Sequence, residues 1–206
     1  MWRQSVCCRR SKLEDNDKLN GGECMELYAT NMFFIGDNEK EQSYDCCIHG
    51  NVIFKIGDNL LSDNTEWCVS ASAYRFLHTL FENHFMGAED FLIPCCGHTM
   101  IPSEDKTFVN IIGCNNGIDF SIIHEDEIIT IVTEDNTEYH ISFKDYKKAV
   151  MSFAKQVMDF YKESPPRKFE DDFDKDGYSR CGNLFRFEQN QVRFRFCPAS
   201  SCFAQR

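Results

Sequence analysis

The run from Thr107 to Phe143 constrains the fold of this chain most. TFVNIIG, GIDFSIIH, EIITIVT and TEYHISF are rich in β-branched and aromatic residues, and they are joined by CNNG, by Glu125-Asp126 and by Glu134-Asp135-Asn136. Residues of the first kind suit a pleated, half-buried surface; Asn-Gly and acidic pairs suit turns. Links this short force antiparallel neighbours. Ile118, Phe120 and Ile122 then share one face, as do Tyr139, Ile141 and Phe143, and a sheet apolar on one face needs a cover. The cover follows directly: Ser142 and Asp145 form a capping box, and Tyr146, Val150, Phe153, Val157 and Phe160 make a helical apolar stripe that Pro165-Pro166 ends.

Upstream, NMFFIG (31–36) and CCIHGNVIFKIG (46–57) read as two strands around a polar loop. In SASAYRFLHTLFENHFMG, Ala73, Phe76, Leu77, Leu80, Phe81, His84 and Phe85 recur at helical spacing; Ser70 or Ser72 caps the start and Gly87 closes the end. The expected fold is α+β: an antiparallel β-meander packed against two amphipathic helices, in one domain over residues 25–179. A chain of 206 residues has room for one such core plus appendages.

Both ends differ from this body. Residues 1–24 are polar and non-periodic, a poorly ordered extension by composition. They also admit a second reading: the codons GGAGGTGAA would write Gly21-Gly22-Glu23, a ribosome-binding sequence ahead of Met25, which would make 1–24 a mis-assigned start. Residues 180–206 are rich in Arg, Phe and Cys. There Phe185, Phe187, Val192, Phe194 and Phe196 alternate with polar residues, so the tail reads either as a hairpin or as disordered sequence foreign to the body, produced by a frame change.

Charge narrows the partner class. Residues 25–179 hold 12 Lys and Arg against 28 Asp and Glu, a net charge of −16, whereas residues 180–206 hold 5 Arg against one Glu, a net of +4. An acidic body repels nucleic-acid backbones and anionic membranes and attracts basic proteins. No apolar run reaches the roughly 20 residues of a membrane helix, and the N-terminus lacks the apolar middle of a secretory signal, so the expected compartment is the cytoplasm. There the 12 Cys are expected to be reduced, most of them acting as small buried apolar groups.

IPCCGHTMIP (93–102) concentrates the possible chemistry. Cys95, Cys96 and His98, with Cys114 in a following turn, offer thiolate and imidazole ligands of the kind zinc takes, but the second Cys or His pair of a complete knuckle is missing. The same cysteines, with His98 or His124 as base and Asp119 orienting it, would serve a thiol-dependent hydrolase. Against both stands packing: buried thiols and a hydrogen-bonded His in a turn. DFDKDGYSRCGN (172–183) matches the first six positions of a calcium-binding loop, then places Asn183 where the bidentate Glu belongs; a solvated acidic turn or short helix is the simpler account. His78 and His84 fall on the first helix, and Trp67 before it reads as a core plug.

IPCCGHTMIP, GCNNGIDFSIIHE and the helix ending in FYKESPP resemble a family of small bacterial cytosolic proteins, over roughly residues 50–180. The resemblance implies a fold without an activity. The acidic body is similar to that of bacterial immunity proteins, which neutralise basic toxins by charge complementarity. The expectation is a non-enzymatic interaction module without a cofactor. Its partner-binding residues are Glu125, Asp126 and Glu127 at one hairpin tip and Glu134 and Asp135 at another. The alternative is a zinc- or thiol-dependent hydrolase centred on Cys95, Cys96, His98 and Cys114.

Overall fold

A computed structural model describes residues 24–87, 90–97, 99–103 and 109–179. Strand β1 (Met25–Phe33) pairs antiparallel with β2 (His49–Ile56) after a short helix, α1 (Glu39–Gln42). Along β2 burial alternates strictly, with Gly50, Val52, Phe54 and Ile56 inward, so the period-2 pattern of GNVIFKI sets the face. The other edge of β2 takes two short strands, β3 (Asn59–Leu60) and β4 (Glu66–Cys68). Before β4, Asp63 accepts from the indole Nε1 of Trp67 at 2.8 Å, which satisfies the polar edge of this buried ring.

Helix α2 (Val69–His78) is shorter than its periodicity predicts. Its N-cap is Cys68, without a side-chain cap, rather than Ser70 or Ser72. Thr79 closes it by turning its hydroxyl onto the Phe76 carbonyl, 2.7 Å away. Phe81, His84 and Phe85 therefore leave the helix, and Gly87 (φ +86°) belongs to a later turn. The reason is a competing tertiary pairing, in which His84 exchanges two backbone hydrogen bonds with Ile122 at 2.8 and 3.0 Å.

Two small ladders follow: β5 (Ile93–Pro94) pairs with β8 (Gly117–Ile118), and β6 (Thr99–Pro102) with β7 (Val109–Ile112). The expected meander survives in its last three strands, β9 (Ser121–Glu125), β10 (Ile128–Val132) and β11 (Glu138–Ser142). Asp126 (φ +55°) and Asn136 (φ +61°) make its two turns, in the left-handed conformation that these residue types tolerate. The first expected strand departs: its partner is β6, not the strand after CNNG.

Helix α3 (Phe143–Glu163) starts at the predicted cap, with the amide of Asp145 donating to Ser142 Oγ at 3.1 Å. Its stripe of Tyr146, Val150, Phe153 and Val157 is buried against both α2 and the first sheet. Beside β1, the side-chain amide of Gln156 donates to Ala29 O (2.8 Å) and accepts from Ala29 N (2.9 Å). Arg167 then lies 3.7 Å over the Phe34 ring and donates to Gln42 O at 2.7 Å, which fastens the chain after α3 to the end of α1 and to the segment before it.

Residues 172–179 are helical. Asp172, Asp174 and Asp176 therefore fan around a helix instead of converging as a calcium loop requires. The N-terminal extension through residue 23 and the tail from residue 180, including the Phe-alternating hairpin, lie outside the described residues. No described helix is long and apolar enough to cross a membrane.

His78 gives a pH prediction. Burial pushes its imidazole pKa down, with Glu82 and Asp90 opposing. A folded pKa below the unfolded one means that stability is complete above about pH 6.5 and falls as the unfolded state takes up the proton first. The loss of urea midpoint between pH 7.5 and pH 5.5 is expected to be smaller in His78→Gln than in the parent. An identical loss would remove His78 as the source.

Candidate functional site

The β5–β8 ladder carries a cluster of sulfur at one end and the wall of a cleft at the other. Two glycines allow the backbone approach that builds it. A Cβ on Gly113 would lie 2.1 Å from Cys96 O, and one on Gly117 would lie 2.5 Å from Ile93 O, so no larger residue fits either position without moving backbone. Cys95 N donates to Asn116 O at 2.9 Å, which extends the ladder toward Cys114. GCNNG thus lies flat against IPCC, and its spacing of glycines, read in the sequence as a hairpin link, is the signal for this close approach.

At the sulfur end, Cys95 and Cys114 are joined by a disulfide. Cys96 Sγ accepts the backbone N–H of Cys114 at 2.8 Å. The three sulfurs lie within 4.8 Å of one another, in a group that no imidazole or carboxylate joins among the described residues. Cys95 and Cys96 are half-buried and Cys114 is exposed. His98 lies outside the described residues. Three of the four residues singled out for zinc are therefore together, and at Cys95 and Cys114 the expectation of reduced thiols gives way to a bond.

Beneath the cluster, Cys47 and Cys68 behave as the composition predicted, both fully buried. Cys47 Sγ donates to Gly97 O at 2.9 Å. Hydrogen bonding to Cys68 and burial hold its thiol well above the ordinary range. Cys46, pushed up to about 11 by burial and by Asp45 and Asp174, is equally unsuited to act as a nucleophile at neutral pH.

The described histidines do not supply a base to the cluster. Asp119 pairs with His84 (Nε2 to Oδ1, 2.8 Å), not with His124, whose Nε2 lies 2.7 Å from Thr79 O. His140 Nδ1 meets Thr130 Oγ1 at 3.0 Å, and His49 faces Asp45 at 3.5 Å. Metal ligation and thiol–disulfide chemistry suit the sulfur group; base-assisted hydrolysis has no described partner there.

At the opposite end lies an open cleft of about 1120 Å³. Phe91, Ile118, Phe120, Met86, Leu61 and Tyr139 give it apolar walls, and Asp58, Glu134 and Asp135 give it carboxylates. Among the described residues no Lys or Arg lines it. Leu60, half-exposed at its mouth, adds apolar surface. Asp135 accepts from Thr133 Oγ1 (2.5 Å) and Thr137 N (3.2 Å), and these bonds hold its carboxyl below the usual range, so it stays charged in mild acid.

The five carboxylates named from the sequence do not form one patch. Glu134 and Asp135 stand on the cleft, whereas Glu125, Asp126 and Glu127 turn between β9 and β10 at the far end of β10, a five-residue strand that spans about 17 Å. Glu125 Oε2 is also committed to Thr130 Oγ1 at 2.7 Å. Asp58 was missed, and Asp119, expected to orient a catalytic base, instead lines the cleft with Ile118, Phe120 and Tyr139, because only the fold brings these segments together.

No protein-family model, curated protein or solved structure matches this chain.

Proposed function

We propose that this protein is a non-enzymatic, acidic protein-interaction module whose cleft receives a basic segment of a partner protein, in the manner of a bacterial immunity protein that neutralises a basic toxin in the cytoplasm. One observation carries the reading: the cleft combines apolar walls with Asp58, Glu134 and Asp135, and no described cation lines it. A Lys or Arg side chain suits such a place, since its stem covers apolar surface while its charged head meets a carboxylate. The net charge of −16 over residues 25–179 adds long-range attraction for a basic partner and repels nucleic acid. Of the carboxylates named from the sequence, Glu134 and Asp135 are the contact residues in this reading, while Glu125, Asp126 and Glu127 steer encounter from the opposite tip.

The test is Asp58→Lys combined with Glu134→Lys, measured by fluorescence anisotropy with a labelled peptide of alternating Arg and Leu at low salt. The parent is expected to bind, and the double variant at least tenfold more weakly, about 1.4 kcal/mol. A Glu39→Lys control, on α1 and away from the cleft, is expected to stay near the parent. Equal affinity of double variant and parent would overturn the assignment of the cleft.

A further inference from the structure

We propose that Cys95, Cys96 and Cys114 are a binding site for a thiophilic divalent cation, zinc above all, which loads when the Cys95–Cys114 bond is reduced. This sulfur group shares no residue with the cleft. A disulfide needs two sulfurs, yet the third lies within 4.8 Å of both and is half-buried rather than turned to solvent. A tetrahedral zinc–thiolate site separates its sulfurs by roughly 3.8 Å, from a Zn–S bond of about 2.3 Å. The observed grouping is thus within a short side-chain adjustment of ligation.

Contacts besides the S–S bond hold the backbone of this grouping. Gly113 against Cys96 O, the hydrogen bond from Cys95 N to Asn116 O and the β5–β8 pairing keep the two loops together after reduction. The N–H of Cys114 already points at Cys96 Sγ from 2.8 Å, the kind of outer contact that orients and stabilises a metal-bound thiolate. Exposure of Cys114 gives a cation an entry path, and the acidic body favours its approach.

The chemistry balances with a dithiol as reductant. The dithiol cleaves the Cys95–Cys114 bond, passing two electrons and two protons to the cysteines and closing its own disulfide. Zinc then displaces the protons of the three thiols, and water takes the fourth corner of the tetrahedron. The site is in this way gated by redox state: bonded sulfur excludes the ion, reduced sulfur holds it.

The experiment uses the full chain, reduced anaerobically with a phosphine, titrated first with Co2+ as a spectroscopic probe and then with Zn2+ against a chromophoric chelator. The reduced parent is expected to show thiolate-to-cobalt charge-transfer absorption and to bind one more equivalent of Zn2+ than Cys96→Ser. Cys96→Ser leaves the other two cysteines in place and is expected to lose more than about tenfold in affinity at this site. Oxidised parent is expected to lose the same equivalent, and Cys46→Ser to keep it. Alkylation of the reduced parent, read by mass spectrometry, adds a measurement that needs no variant: Zn2+ should protect all three cysteines together. Unprotected cysteines, or a Cys96→Ser protein that binds as the parent does, would overturn the site.

Discussion

Phe153→Ala is expected to lower the free energy of unfolding by about 3–5 kcal/mol, the range for emptying a fully buried aromatic position. Phe153 is 0% exposed on the inner face of α3. Its ring meets Phe76 of α2 edge-on at 6.4 Å; Phe76 in turn meets Phe54 of β2 at 5.5 Å, and Phe54 meets Phe120 at 5.0 Å. This chain of edge-to-face rings joins α3, α2, the first sheet and the segment leading into β9. A truncation on a long rigid helix leaves a void that its neighbours fill poorly, so the transfer and cavity terms add. Urea denaturation checks the value, and thermal unfolding should shift down by roughly 10 °C or more. A loss under about 1 kcal/mol would mean that the helix relaxes into the space and that the ring chain is not a rigid unit.

Asp119→Ala is expected to cost a similar 3–5 kcal/mol by a polar route. The Asp119 side chain is only 5% exposed. Its oxygens bond His84 Nε2 at 2.8 Å, Leu92 N at 3.1 Å and Gly87 N at 3.2 Å. Alanine leaves an imidazole and two backbone amides without this acceptor, each a loss of roughly 1–3 kcal/mol where water does not replace it. Asp119→Asn keeps one oxygen and the shape, so about half of the loss should return. Equal stability of the two variants would show that water replaces the carboxylate. Because Asp119 also lines the cleft, these measurements belong before any binding assay on this residue.

The parts of the fold that were legible are those in which local chemistry and tertiary structure agree. Ser142 and Asp145 announced the start of α3, and the acidic and Asn turns announced β9 to β11, because caps and turns are decided within a few residues. The end of α2 was hidden: the apolar spacing runs on through Phe85, but Ile122 takes the backbone of His84 into a bridge that no helical periodicity reveals. The partner of β7 was hidden as well, since β6 lies between Gly97 and the second proline of IPCCGHTMIP, a stretch that composition marks as a turn. In the site, Cys95, Cys96 and Cys114 could be suspected from their types. That GCNNG folds flat onto IPCC depends on two glycines whose close approaches appear only when both segments are placed.

The amide of Gln156 on Ala29 has a consequence for how the molecules behave in a crowd. An outermost strand with free main-chain groups is a template on which a second chain can add, the first step toward fibrous aggregates. Among the described strands β1 is outermost in its sheet, and a neighbouring helix occupies both groups at its middle residue with one side chain. Growth from that side is interrupted at its centre, by a blocker tethered to the long helix and so always at hand.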